Sequence, residues 1–146
     1  MSVVVRVITH EDFDAVTGLL AELGRPALTQ ETLTAVRAAY HTHVNNPRTF
    51  SLIAEVDGQA AGFISLELRH RLNWGTLEAW IPDFIVTEGA RGTGVGHALF
   101  EQAIEIAREN NCHRIALESG YSRGVAHKFY EQHGMTNSGY YFVMAG

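Results

Sequence analysis

"DFIVTEGARGTGVGHALFEQ" (residues 83–102) decides how this chain of 146 residues is read. A strand-like run over residues 76–86 enters a loop with glycine at alternate positions, Gly92, Gly94 and Gly96. An apolar face at helical spacing leaves it, carried by Val95, Leu99, Phe100, Ala103, Ile104, Ile106 and Ala107. A strand, loop and helix in this order aim unpaired backbone N–H groups and the positive end of a helix dipole at whatever occupies the loop. Glycine suits such a loop because it accepts positive φ and lets an oxyanion come close to the amides. The segment therefore predicts an anion site.

Outward from the loop, the remaining elements follow from pattern. "VVVRVI" (residues 3–8) is a short β-branched strand, and Thr9 with Asp12 resembles a capping box. A helix follows with Phe13, Val16, Leu19, Leu20 and Leu23 on one face, ending at Gly24. A second helix opens at Thr29, carries Leu33, Val36, Tyr40 and Val44, and closes before Pro47. From Phe50 two strand runs flank Asp57-Gly58, a hairpin turn. Residues 76–86 form another strand, in which Pro82 cannot donate to a ladder and predicts a bulge or an edge. After the loop helix come the strand "RIALES", the helix "VAHKFYEQHG" ended by Gly134, and a last strand "YYFVMA". This order predicts one mixed α/β domain over residues 1–146, with no repeat or linker.

Composition narrows the function. A net charge of −5 lacks the basic clusters that nucleic acid or acidic membranes demand. Cys112 is the only cysteine, no apolar run approaches a membrane span, and no signal peptide precedes the first strand. The expectation is a soluble, cytoplasmic protein without nucleic-acid or membrane partners. His41 and His43 lie two apart on a helix, where they do not face each other, so they read as surface residues and no metal site is expected.

Two nucleotide loops compete for the glycines and neither fits. A dinucleotide fingerprint needs a third glycine that is off register here, although Glu118 stands where a ribose-binding acid would. A phosphate loop of the Walker type needs lysine and a hydroxyl where this chain has Gly96-His97. The spacing Arg91-x-x-Gly94-x-Gly96 instead resembles the pyrophosphate loop of the GNAT superfamily of acyl-CoA-dependent N-acyltransferases. "AHKFYEQHGM" (residues 126–135) is similar to that family's second motif, and the order of elements agrees over nearly the whole length.

The resemblance implies a central, mostly antiparallel sheet splayed between two parallel strands and flanked by about four helices. It implies acetyl-CoA as cosubstrate, with the pyrophosphate cradled by the backbone of Arg91, Gly92, Thr93, Gly94, Val95, Gly96 and His97. The pantetheine arm would pair with the backbone of Ile85 and Val86, and Arg123 is a further candidate contact. Tyr130 is the candidate acid that protonates the departing thiolate. An alkyl amine with a pKa near ~10.4 must lose a proton before it attacks. Asp83 and, through water, Glu78 are the candidate bases.

The expected reaction is direct transfer of acetyl to a primary amine with both substrates bound. Glu67, Glu78 and Asp83, with Trp74 and Trp80, suggest a cationic acceptor, either a small molecule or a peptide. A non-catalytic acyl-CoA sensor of the same fold and, more remotely, an NAD-linked oxidoreductase are the competing readings. The apolar tail, residues 140–144, is a candidate edge for a homodimer.

Overall fold

The computed structural model describes residues 2–119 and 124–146. The chain divides into two compact units, Met1–Ala116 and Leu117–Gly146. The first holds β1 (Val3–Val7), α1 (Phe13–Leu23), α2 (Leu33–Asn45), β2 (Leu52–Val56), β3 (Gln59–Ile64), β4 (Glu67–His70), β5 (Leu77–Ile81), β6 (Phe84–Val86) and α3 (Val95–Glu109). β7 (Arg114–Leu117) ends at the boundary, and α4 (Gly124–Gln132) lies in the second unit. The strands form two sheets, ordered β1-β2-β3-β6 and β4-β5-β7.

The first sheet is antiparallel throughout. Its β2–β3 hairpin turns on Asp57 and Gly58, both at positive φ (51° and 83°), as a two-residue turn of matching twist requires. Alternation then gives the sheet two faces. Ile53, Phe63 and Ile85 meet Phe13, Val16 and Leu19 of α1 and Tyr40 of α2 in one buried cluster. On β3, Gly62 meets α3 instead. A Cβ at Gly62 would stand 2.8 Å from Leu99 Cδ1 and 3.1 Å from both Val95 Cγ1 and the Ile85 carbonyl oxygen. The helix approaches the strand this closely because that position carries no side chain.

Both helices on the first face start and stop for local reasons. Thr9 N–H donates to Asp12 Oδ2 at 2.8 Å, and Asp12 takes a two-pronged contact from Arg6, at 2.7 Å from Nη1 and 2.8 Å from Nη2. The Arg6 guanidinium holds the Asp12 carboxyl down to about 2. α1 ends at Gly24, in the left-handed region at φ 106°. α2 begins at Leu33, not at Thr29 as the sequence suggests. The Thr29 and Thr32 hydroxyls accept each other's backbone N–H at 3.2 and 2.9 Å, a local turn that competes with helix.

The strand expected over residues 76–86 breaks at Pro82-Asp83 into β5 and β6. Trp80 lies opposite Glu67 on one side of the break and Phe84 opposite Ile64 on the other. Four steps along one strand therefore answer three along the other, and the extra residue is the bulge that proline predicts. Ser65 bridges the gap. Its N–H donates to the Asp83 carbonyl at 2.9 Å, and its Oγ accepts the Asp83 N–H at 2.7 Å.

In the second unit, α4 stops at Gly134 (φ 87°), and Met135 N–H caps it by donating to the Tyr130 carbonyl at 3.0 Å. The predicted last strand is absent: residues 135–146 carry no strand, and Tyr140, Phe142, Val143 and Met144 are exposed. β-propensity describes how side chains fit a paired, half-buried ladder, and without such a ladder aromatic and β-branched residues do not make a strand.

Candidate active site

The glycine loop joins β6 to α3. Gly92 and Gly94 take positive φ, 76° and 90°, and beyond their chain neighbours no heavy atom lies within 4 Å of a Cβ placed on either. Ala98 N–H donates to the Gly94 carbonyl at 3.0 Å, closing the first turn of α3. The N–H groups of the preceding helical residues have no acceptor inside the helix, as at any helix start. Gly96 is within that first turn at ordinary φ. The loop thus offers amides, a dipole and open space to an anion. Arg91 Nε donates to the Val86 carbonyl at 3.1 Å, which folds this exposed side chain back along the loop and fixes its entry. Thr93 braces the same turn through its hydroxyl on the Ala90 carbonyl. His97 is exposed on the first turn of α3.

β6 is the last strand of its sheet, so one of its edges has no strand partner among the described residues. Hydrogen-bond alternation shows which groups face that edge. Thr87 N–H donates to the Ala61 carbonyl at 2.8 Å and Ser65 N–H to that of Asp83 at 2.9 Å. Residues 83, 85 and 87 therefore turn their backbone groups toward β3, and Phe84 and Val86 turn theirs outward. This corrects the expectation for Ile85, whose backbone is committed to the sheet and whose side chain is core. Val86 faces the outer edge, with its carbonyl engaged by Arg91.

The two candidate bases occupy different surroundings. Asp83 stands at the bulge, half-buried, with Arg25 Nε at 2.7 Å from its Oδ1 and Arg25 Nη2 at 3.1 Å from the Pro82 carbonyl. Glu78 is fully buried in the middle of the second sheet. Arg69, directly opposite on β4, donates Nε to its Oε1 at 2.6 Å, Arg114 of β7 donates to its Oε2, and Arg71 Nη1 approaches to 3.8 Å. Burial alone would raise the Glu78 pKa, but the hydrogen bonds from Arg114 and Arg69 outweigh it and hold the carboxyl below its usual range. A carboxylate so held is a poor proton acceptor at neutral pH, which speaks against Glu78 as the base.

Around Glu78 the sheet carries a rim of rings and cations. The Arg69 guanidinium lies 4.4 Å from the centroid of Trp80, and Trp74 stacks on His113 at 4.2 Å. His113 Nδ1 pairs with Thr76 Oγ1 at 3.0 Å, and its enclosed Nε2 has no partner among the described residues. None of these contacts is adjacent in sequence. Only the Arg69–Glu78 pair had a signal, as opposite charges near the two ends of a hairpin.

Tyr130 is half-buried on α4, its ring edge-on to Phe129 at 5.9 Å. Arg123 lies outside the described residues. His43 is not the surface residue that its position suggested: it is half-buried, its Nε2 lies 2.6 Å from Ser51 Oγ, and burial lowers its pKa.

Comparison with known proteins places the chain in a family. The profile of the acetyltransferase (GNAT) family matches residues 14–135. The chain belongs to this family. Aminoalkylphosphonate N-acetyltransferase from Salmonella typhimurium is 29% identical over 140 residues, spanning 96% of this chain and 89% of the relative. A Bacillus subtilis protein described as a candidate [ribosomal protein bS18]-alanine N-acetyltransferase is 28% identical, over 92% and 82% of the two chains. Among solved structures, a transcriptional regulator from Bacillus halodurans superposes with a TM-score of 0.91 at 25% identity, covering 99% of this chain and all of that one. AAC(6')-Iy, solved with a CoA-linked bisubstrate analogue, shares the fold at a TM-score of 0.84 and 17% identity, covering 100% of this chain and 99% of that one. This GNAT chain is an N-acetyltransferase of mixed α/β fold. The NAD-linked reading falls, because the strands that lead into its loop are antiparallel and not the parallel half of a nucleotide-binding fold. No helix among its described residues is long and apolar enough to cross a membrane.

Proposed function

We propose that the protein, as one N-acetyltransferase domain, moves an acetyl group from acetyl-CoA to the primary amine of a small-molecule or peptide acceptor by direct attack with both substrates bound. The observation that carries this reading is the bulge at Pro82-Asp83 followed by the open glycine loop. The bulge parts the two sheets and leaves β6 with an edge that has no strand partner among the described residues, where an amide-rich arm can add as a strand. Directly after β6, the glycine loop turns its amides toward a pyrophosphate in this reading, with space at Gly92 and Gly94 that side chains would fill. The residues fit the cosubstrate, which supplies an activated acetyl thioester.

The remaining chemistry is proton management. The incoming amine must be neutral, and Asp83 at the bulge is the base in this reading, held in place by Arg25 and Ser65. Tyr130 is the acid for the leaving thiolate. The exposed apolar tail of the second unit suits pairing between two copies across a two-fold axis, so a homodimer belongs to the same proposal. Both relatives named as N-acetyltransferases support an amine acceptor, one of them an aminoalkylphosphonate.

The test is calorimetric titration of acetyl-CoA into wild type and Gly94→Glu, followed by a turnover assay of Tyr130→Phe and light scattering. Micromolar binding lost in the loop variant, turnover lost with binding kept in the tyrosine variant, and a dimer mass are the expected results. Wild type that does not bind acetyl-CoA overturns the cosubstrate. A phenylalanine variant of full activity removes Tyr130 from the chemistry.

A further inference from the structure

Two of the three carboxylates that the sequence offers to a cationic acceptor are already occupied. Glu78 is held by arginines and Asp83 by Arg25. Three guanidiniums, Arg69, Arg71 and Arg114, converge on the single carboxylate of Glu78, so this face of the second sheet carries two positive charges beyond what Glu78 neutralises. Glu67, two residues along β4 from Arg69, lines a cleft of about 380 Å³ together with Arg48, Arg69 and His70.

The arrangement is more than charge. Arg69 and Arg114 each spend only Nε on Glu78, and their terminal nitrogens have no hydrogen-bond partner among the described residues. Arg71 at 3.8 Å makes an ion pair without a hydrogen bond. All three side chains remain 42–51% exposed, while the carboxylate beneath them is wholly buried. Trp80 holds the Arg69 guanidinium against its ring face, 4.4 Å from the centroid. One arginine would suffice to neutralise Glu78. The surplus charges repel one another, a cost that a bound oxyanion offsets, and forked donors held in place suit a tetrahedral or planar anion.

We propose that Arg69, Arg71 and Arg114 bind an oxyanion carried by the amine acceptor, which is therefore a small ω-amino acid with a phosphonate or carboxylate on a short tether. This rests on the acetyl-transfer reading above. β5, which carries Glu78, runs directly into the bulge where transfer is placed, so the anion anchors one end of the acceptor and leaves its amine to reach the thioester. Positive charge near the amine also favours its neutral, nucleophilic form.

The test uses the intact protein and matched acceptors: 2-aminoethylphosphonate, 3-aminopropylphosphonate, β-alanine and propylamine. The proposal expects at least one anionic acceptor to exceed propylamine in kcat/KM by tenfold or more. Arg71→Ala, chosen because it leaves the two hydrogen bonds to Glu78 in place, should narrow that ratio about tenfold through KM. Its thermal unfolding should stay within a degree or two of wild type. Phosphonate and β-alanine compared with each other identify the oxyanion.

Propylamine equal to the anionic acceptors, or an unchanged ratio in Arg71→Ala, overturns the subsite. A rise in KM for acetyl-CoA alone assigns the arginines to the cosubstrate and overturns it too. Calorimetry with 2-aminoethylphosphonate separates the two readings. Binding that is lost in Arg71→Ala without any acetylation supports the subsite and sinks the transfer reading, whereas acetylation confined to neutral amines does the reverse.

Discussion

The glycine loop and the arginine cluster, the two anion sites proposed above, are made from different parts of the chain. The loop uses backbone amides, a helix terminus and the absence of side chains at Gly92 and Gly94. The cluster uses long side chains from β4, the β4–β5 connection and β7, organised by one buried carboxylate. A backbone site is rigid once the fold is made and carries no net charge of its own. A side-chain site has to be charged and then restrained, which here falls to Glu78 and Trp80. The difference predicts that the loop fails by obstruction and the cluster by imbalance.

Gly94→Glu should have the largest effect. A side chain forced to φ 90°, with a carboxylate where the proposal puts the pyrophosphate, should lower acetyl-CoA affinity by at least ~1,000-fold, ~4.1 kcal/mol, in calorimetry. A smaller loss would mean that the loop is not the anion site. Glu78→Gln comes next. Removing the buried partner leaves the guanidiniums uncompensated and should cost about 3 kcal/mol in denaturant unfolding, within the range for a broken buried pair. Added inorganic phosphate should restore part of that loss in the variant and do less for wild type. If phosphate restores nothing, the cluster is not an oxyanion site.

Asp12→Asn gives the smallest change and calibrates the rest, since it breaks an arginine–carboxylate contact that touches neither site. Half-exposure of Arg6 discounts the pair, and the expected loss is about 1 kcal/mol at pH 7 with unchanged acetyl-CoA affinity. Because folding lowers the Asp12 pKa to about 2, its contribution is complete above the ordinary carboxylate range and disappears as pH falls toward that value. The gap between wild type and variant in urea midpoints should therefore close between about pH 4 and pH 2. A gap that persists at the acid end would assign it to packing.

The same contrast explains what could be read from the sequence. The loop was legible because its parts lie within seven residues and its chemistry is backbone chemistry, which spacing alone specifies. The Asp57-Gly58 hairpin, the apolar face of α3 and the break at Pro82 were legible for similar reasons. Arg69, Arg71, Glu78 and Arg114 meet only after the second sheet has formed, so Glu78 read as free to hold a cation when it was already taken. Ile85 and Val86 share a strand, but which of them faces the open edge follows from the hydrogen-bond phase of β3 and not from their side chains. The tail failed for the opposite reason: its composition favours a strand, and no composition supplies a pairing partner.

Gly62 links the core to the chemistry. Its bare Cα lets α3 settle against β3, and the start of α3 is one wall of the glycine loop. A methyl group there would meet the Ile85 carbonyl and two α3 side chains at 2.8–3.1 Å, so the helix would have to ride outward by a fraction of an ångström. The register between helix and strand thus works as an alignment stop. A Gly62→Ala protein that still folds would present the same amides at a displaced height, an enzyme mis-aimed by a residue that never meets its substrates.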